Sequence, residues 1–300
     1  MVKTLTLWTL IVVLSFITAW YFLIKEYNYS ISFKIDETPG EVYQQLLYYK
    51  YNFLEEAKYT QKTPFKQLVQ QVSVNDRDLQ LTWNFIRESD SSSQITARVN
   101  SIENNSFARL KSLFGQDDAK KIITEEVQQF QIALNEEKDL YEVKIEGITS
   151  SPAATCACIK FENDVKNKAT DMMKNIKYLS AYIQKNELDM TARPRINVLH
   201  WDIKSNRIKF EFCFPIDPEN APEETRRIYL KNLPARKSLL AKYNGNYMYS
   251  HLAWVKLLSY AEKEKIPVLN EPLEIFNNNP EMGGDARLWE TEIYLPLESL

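Results

Sequence analysis

The sequence predicts an α+β protein in three parts: an N-terminal transmembrane helix, a small unit of helices and antiparallel strands, and a duplicated β-α-β-β unit with an antiparallel sheet. Three observations support this prediction. Residues 4–24 carry no charged side chain over 21 positions, residues 28–145 alternate between strand and helix patterns, and short motifs in residues 146–300 recur about 82 positions later. The predicted parts are therefore 1–27, 28–145 and 146–300.

Composition and charge exclude several classes of protein. The 300 residues are 44% hydrophobic and 26% charged, which is the composition of ordinary globular proteins. The formal net charge of -3 leaves no basic excess to neutralise phosphates. We therefore expect no nucleic acid among the partners.

Glycines and cysteines form none of the usual cofactor or disulfide patterns. None of the 6 glycines falls in a dinucleotide-binding or P-loop motif, so no cofactor is expected. The 3 cysteines cannot all pair within the chain. Cys156 and Cys158 are two residues apart, which in a strand gives poor disulfide geometry. No disulfide framework is implied.

Residues 4–24 are predicted to span a membrane. At 1.5 Å per residue, 21 helical residues are about as long as the 30 Å hydrocarbon core. Trp8 and Trp20 lie near the two ends, where aromatic rings favour the interfaces. A cleaved signal peptide is the alternative, but its apolar stretch usually ends after about 7–15 residues. We expect a single-pass membrane protein whose remaining chain lies outside the cytoplasm, because the short N-terminal tail favours a cytoplasmic start.

The next part reads as strand, helix, strands and long helix. Residues 28–36 alternate apolar and polar side chains, which predicts a half-buried strand. Residues 38–41 (TPGE) form a capping box that begins a helix. Residues 65–104 alternate again and predict an antiparallel meander. Residues 116–138 repeat apolar side chains at helical spacing and predict a long helix.

This order of elements resembles the SRPBCC superfamily, which is also described as START-like or polyketide cyclase-like. The resemblance is carried by residues 33–46, FKIDETPGEVYQQL, which are similar to the opening strand and helix of that family. It implies a helix-grip fold with an apolar cavity between the long helix and the sheet. The alternative is that the aromatic side chains of this unit simply fill its core.

An internal repeat defines the last part of the chain. Residues 152–153 and 160–161 (PA and KF) recur 82 positions later at 234–235 and 242–243 (PA and KY). Each copy continues into a helix and then into strands, and the two copies end alike with an offset of 81. We therefore predict two β-α-β-β units that share one sheet.

Side-chain alternation in the final strands predicts two faces of this sheet. Phe210, Phe212 and Phe214 correspond to Thr291, Ile293 and Leu295, and these sets are expected under the helices. Glu211 and Glu292 then lie on the opposite face, near aromatic side chains. A carboxylate partly withdrawn from water among aromatic rings suits an organic cation. The alternative is a pair of solvated strand glutamates.

The second copy resembles the GyrI-like, AraC-type effector-binding domain. The similar stretches are residues 243–247 (YNGNY), 251–258, 274–276 and 289–297. The resemblance implies a concave, aromatic-lined pocket for small, often cationic or amphipathic molecules. It implies an acidic ligand-binding residue at the position of Glu292 and aromatic ones at the positions of Trp254, Phe276 and Tyr294, for which a plain core role is the alternative. The chain has no helix-turn-helix beside this domain, so DNA-bound transcription control is not expected.

Our leading hypothesis is a membrane-anchored protein that binds a small amphipathic or cationic molecule without catalysis. The predicted ligand-binding residues are Glu292, Trp254, Phe276, Tyr294 and Glu211. One alternative is a hydrolase in which Glu292 acts as a general base. Another is a pure protein-interaction module. The 2 histidines lie in no metal-binding or nucleophile motif, so we predict no catalytic and no metal-binding residues.

Overall fold

The computed structural model describes residues 2–19, 27–51, 58–102, 118–217 and 223–298. Within these residues the protein is α+β, with five α-helices and two antiparallel sheets. The helices are α1 (Val2–Ala19), α2 (Pro39–Tyr48), α3 (Asp118–Glu137), α4 (Lys168–Lys185) and α5 (His251–Glu264). The chain divides into two compact units, Met1–Pro39 with Gln45–Ala133 and Gly40–Gln44 with Leu134–Leu300.

The N-terminal helix corrects the prediction of a membrane anchor. α1 comprises the 18 residues Val2–Ala19. Residues 20–24 of the predicted span lie outside the described residues. Among the described residues, no helix combines the length and apolar character needed to cross a membrane. The predicted single-pass membrane localisation is therefore wrong, and the sidedness that was predicted from it loses its basis.

The first unit contains a five-stranded antiparallel sheet and most of the long helix α3, as far as Ala133. Its strands are β1 (Tyr29–Ile35), β2 (Lys58–Thr63), β3 (Gln67–Val74), β4 (Arg77–Arg87) and β5 (Ser93–Ser101), in the order β1-β5-β4-β3-β2. The alternating pattern buries one face, as at Trp83 and Phe85 of β4. Phe130 of α3 packs on this face, with its ring centroid 5.8 Å from that of Trp83. The predicted strand, helix, meander and long helix are all present, although residues 103–104 and 116–117 lie outside the described part.

The second unit contains an eight-stranded antiparallel sheet. Its strands are β6 (Tyr141–Ser150), β7 (Ala154–Asp164), β8 (Arg195–Asp202), β9 (Arg207–Pro215), β10 (Tyr229–Leu233), β11 (Lys237–Gly245), β12 (Leu273–Phe276) and β13 (Glu290–Pro296). Their order is β10-β7-β9-β8-β12-β13-β11-β6. β8 and β12 pair at the centre, and the first strand of each copy pairs with the other copy, β6 with β11 and β10 with β7. The predicted single sheet containing strands of both copies is present, but the predicted β-α-β-β order is wrong, because each copy has two strands before its helix and therefore reads β-β-α-β-β.

The two faces of this sheet differ as the alternation predicts. On the helix face, Glu274 of β12 accepts a hydrogen bond from Trp254 of α5 and lies opposite Ile293 in the strand register. Phe212 lies on the same face, because Ile196 pairs with both Glu274 and Phe212. The other face, called here the outer face, carries Glu211, Cys213, Glu292 and Tyr294.

A disulfide on the outer face was not predicted. Cys158 of β7 and Cys213 of β9 are direct register partners and form the bond, while Cys156 is a buried free thiol. The sequence shows only that Cys156 and Cys158 are poorly placed to bond with each other. The pairing of Cys158 with Cys213 depends on which strands are neighbours, so it appears only with the register.

Candidate functional site

A cavity of about 390 Å³ lies where the start of α4, from the first copy, faces the turn ahead of α5, from the second. Most of its wall is apolar and consists of flexible methionine side chains and aromatic rings. The residues that line it include Met172, Met173, Lys174, Tyr247, Met248 and Trp289. This volume falls within the roughly 300–1,000 Å³ of small-molecule sites in proteins.

The turn that forms one wall is fixed by three residues of the YNGNY stretch. Gly245 has a φ of +152°, and a Cβ there would lie 2.6 Å from the phenol oxygen of Tyr243, so only glycine fits. Tyr243 donates a hydrogen bond of 2.7 Å to the carbonyl of Asn246. The side chain of Asn246 accepts the backbone N–H of Met248 at 3.0 Å and caps the short 3₁₀ turn Tyr247–Tyr249. These contacts hold Tyr247 and Met248 at the cavity.

An aromatic cluster stands behind this wall. The ring of Tyr247 lies 4.7 Å from that of Phe276 and 5.4 Å from that of Trp289, measured between centroids. The Tyr247 hydroxyl donates to the carbonyl of Asn278 at 2.9 Å. Burial raises the pKa of Tyr247 to about 12, so the phenol is neutral at pH 7. The cluster makes a rigid apolar surface on one side of the cavity.

A buried ion pair lies next to the same wall, on the helix face. Lys168, at the start of α4, donates to both carboxylate oxygens of Glu274 at 2.5 and 2.6 Å and to the hydroxyl of Ser250 at 2.6 Å. The exposed fractions of the Lys168 and Glu274 side chains are 1% and 0%. Burial lowers the pKa of Lys168, and the Glu274 carboxylate opposes this shift. The pair is linked to the cavity wall through Ser250, whose hydroxyl lies 3.0 Å from the carbonyl oxygen of Tyr247, a residue that lines the cavity.

Trp254 completes the surroundings of the ion pair. Its indole N–H donates to a Glu274 carboxylate oxygen at 2.7 Å, and the Lys168 ammonium lies 4.7 Å from the centroid of its ring. The ring also meets Trp201 edge-on at 5.3 Å. The Lys168 ammonium, the Glu274 carboxylate and the Trp254 indole thus supply polar and cation–π partners to one another.

The neighbouring His251 gives a pH-dependent prediction. Burial and the Lys168 charge lower the pKa of His251 from 6.5 to about 3. Between these two pH values the imidazole is therefore neutral in the folded protein and protonated in the unfolded chain. Between pH 6.5 and about 3 the unfolded state binds the extra proton, so stability falls with falling pH by at most about 1.4 kcal/mol per pH unit from this group.

The measurement is urea unfolding of the wild type and of His251→Asn at pH 7 and pH 5. The asparagine amide can donate to the Met248 carbonyl, which lies 3.2 Å from Nδ1 of the histidine. We expect the wild type to lose more stability than the variant over this interval. Equal losses would contradict the assignment of a neutral buried imidazole.

The carboxylate of Glu211, one of the predicted ligand-binding residues, already accepts hydrogen bonds from several side chains of the protein. Its carboxylate accepts hydrogen bonds from Lys231 at 2.7 and 2.8 Å, from the Tyr229 hydroxyl at 2.6 Å and from the Asn197 amide at 2.7 Å. Only 3% of the Glu211 side chain is exposed. An external cation at Glu211 has to compete with Lys231.

Glu292 and Tyr294 lie together elsewhere on the outer face. Glu292 is half-buried and accepts a hydrogen bond of 2.7 Å from the Tyr294 hydroxyl. Burial and this carboxylate raise the pKa of Tyr294 above its ordinary value. A second cavity, of about 370 Å³, is lined by Lys231 and by Arg236, which is paired with Glu271. Neither Glu211 nor Glu292 lines either of the two cavities described here.

The structure therefore divides the predicted site residues between the two faces. Trp254 and Phe276 lie on the helix side, one layer behind the apolar cavity. Glu211, Glu292 and Tyr294 lie on the outer face. Within the described residues, no group of three His, Cys, Asp or Glu side chains is placed to hold a metal ion.

Sequence reasoning missed Lys168, Glu274 and the methionine-rich wall. A signal was present in the repeat, because Lys168 and Ser250 are 82 positions apart, the same offset as the paired Pro-Ala motifs. Equivalent positions at the starts of the two helices meet where the copies join. The hydrogen bond between Lys168 and Ser250 is one such contact.

The fold and the cavity define a class of protein: a duplicated α+β sheet with an apolar cavity between its two copies. No family model matches the chain, and no curated protein matches it in sequence. Solved structures with a similar fold include the C-terminal domain of EcmrR, at 19% identity and a TM-score of 0.44, covering 54% of this chain and 99% of that one. The EcmrR–DNA complex in EcmrR-RPo has 18% identity and a TM-score of 0.45, covering 66% and 74%.

A third similar structure is SAV2435 bound to tetraphenylphosphonium. It has 10% identity and a TM-score of 0.36, and the match covers 52% of this chain and 94% of that one. At these identities and TM-scores, the likeness says nothing about what this chain binds. The SRPBCC resemblance of the first unit is not shown by these comparisons and stays a prediction.

Proposed function

We propose that the second unit binds a small amphipathic molecule, without changing it chemically, in the cavity between α4 and the Tyr247–Tyr249 turn. The observation that carries the proposal is the cavity itself, about 390 Å³ with walls of methionine and aromatic side chains. Apolar, concave sites of this size with a few polar groups are typical of small-molecule binding.

The chemistry of the walls supports an adaptable site. Met172, Met173 and Met248 supply unbranched, polarizable side chains that repack around ligands of different shape. Tyr247 and Trp289 supply a fixed aromatic surface against which a ring can pack. Asn246 and Lys174 add the polar groups that orient a ligand.

Blocking the cavity is expected to abolish binding. Thr170 lines the cavity from an exposed position on α4, so Thr170→Trp places a large ring in it with little effect on folding. We expect at least a tenfold loss of affinity for hydrophobic fluorescent probes, measured by titration of the full chain. Ser180→Trp, at an exposed position later on the same helix, is the matched control and should bind as the wild type does.

The same titration separates this site from the outer face. If Glu292→Gln weakens binding and Thr170→Trp does not, the ligand lies beside Glu292 and the cavity proposal fails. The proposal includes no nucleic acid among the ligands, because the net charge of -3 provides no general attraction for phosphates.

A further inference from the structure

We propose that Lys168 is an internal counter-ion that neutralises the Glu274 carboxylate behind the cavity wall. The cavity consequently binds anionic amphipathic molecules more tightly than cationic ones. This inference rests on the proposed function, since it names the class of ligand for the same cavity. It concerns the charge of the ligand, which the apolar lining alone leaves open.

The groups that could recognise a ligand cation near this wall are already engaged. Both carboxylate oxygens of Glu274 accept from Lys168, and the same ammonium lies over the face of Trp254. The Ser250 hydroxyl also accepts from Lys168 at 2.6 Å. An organic cation binds to a carboxylate, an aromatic face and a hydroxyl. Here the Lys168 side chain already contacts all three of these groups.

Displacing Lys168 is unfavourable for an incoming cation. The Lys168 side chain is 1% exposed and is tethered to the first turn of α4. A ligand cation that took its place would leave a second positive charge buried beside the first. The ion pair is therefore a closed structural unit, and the negative charge of Glu274 is neutralised as far as the cavity is concerned.

The charge that remains at the cavity is positive. Among the described residues that line the cavity, Lys174 carries the one charged side chain. Lys174 is exposed, so its ammonium is hydrated and can move to meet a ligand. A molecule with an apolar body among the methionines and an anionic group near Lys174 satisfies both features. A cation of the same shape is repelled by the Lys174 ammonium and finds no negative group to offset this repulsion.

The direct test uses two rigid ions of the same shape and opposite charge, tetraphenylborate and tetraphenylphosphonium. Equilibrium dialysis of the full-length wild type should give at least tenfold tighter binding of the borate. Lys174→Gln should narrow this preference, while Lys177→Gln, at an exposed position on the same helix, should leave it unchanged.

Equal affinities, or tighter binding of the phosphonium, would overturn the inference while leaving small-molecule binding intact. Binding of neither ion would count against the proposed function itself, and the inference would fall with it. The two failures are therefore distinguishable in one experiment on the unmodified protein.

Truncating the lysine tests whether its position is a cation site. In Lys168→Ala the missing atoms correspond to n-propylammonium, which should raise the Tm of the variant in a saturable way. n-Propanol, the uncharged analogue, should not, and neither compound should affect the wild type. A folded Lys168→Ala that ignores the ammonium would overturn the inference. If this variant does not fold, the dialysis of the wild type decides.

Discussion

Replacing Lys168 by methionine is expected to lower the free energy of unfolding by about 3–5 kcal/mol. Methionine fills much of the same volume, so the loss comes from the charge and not from a cavity. Glu274 is then left at 0% exposure without the ammonium that donates to both of its oxygens. A buried carboxylate without a counter-charge must either stay ionised in an apolar site or bind a proton, and each costs stability at pH 7.

A double-mutant cycle tests this explanation. Lys168→Met/Glu274→Gln removes both charges and keeps an acceptor for the Trp254 indole, so it should be more stable than Lys168→Met alone. Lys177→Met, at an exposed position on α4, is the control and should change stability by less than about 0.5 kcal/mol. Urea unfolding followed by circular dichroism is measured for the wild type, Lys168→Met, Glu274→Gln and the double variant, which are the four proteins of the cycle, and for the control. Losses that simply add would show that the two side chains do not act as a pair.

The sequence predicted the elements of this protein better than the contacts between them. The alternation around Phe212 and Ile293 specifies which side of a strand is buried, and both are at most 1% exposed. The repeat offset of 82 likewise identified the shared sheet, because equivalent motifs fold into equivalent elements. These are short-range patterns, readable from spacing alone.

The site was harder to predict because its contacts are long-range. Lys168 and Glu274 are 106 positions apart and meet only once both copies are assembled. In isolation, a lysine at the start of a helix is expected to be solvated, and nothing near it in sequence indicates 1% exposure. Glu292 was predicted as a ligand-binding residue because aromatic side chains lie near it in its strand. Strand alternation, however, assigns a residue to a face and does not show whether a cavity lies beside it.

Removing the disulfide has the second large expected effect. It links residues 55 positions apart on the adjacent strands β7 and β9, so in the unfolded chain it closes a long loop. The loop-entropy relation gives about 4 kcal/mol of stabilisation for this length. We expect the double variant Cys158→Ala/Cys213→Ala to unfold at a correspondingly lower urea concentration, and the wild type to shift in the same direction when a reductant is added.

Cys156 provides the control and explains why the pairing persists beside a free thiol. Burial raises the pKa of Cys156 to about 11, so at pH 7 roughly one thiol in ten thousand is the thiolate that attacks a disulfide. Cys156→Ala should therefore keep the sensitivity to reductant and lose only the packing of a small side chain, about 1 kcal/mol. A wild type whose unfolding curve is the same with and without reductant would show that the Cys158–Cys213 bond contributes nothing to stability, and that strand pairing alone holds β7 against β9.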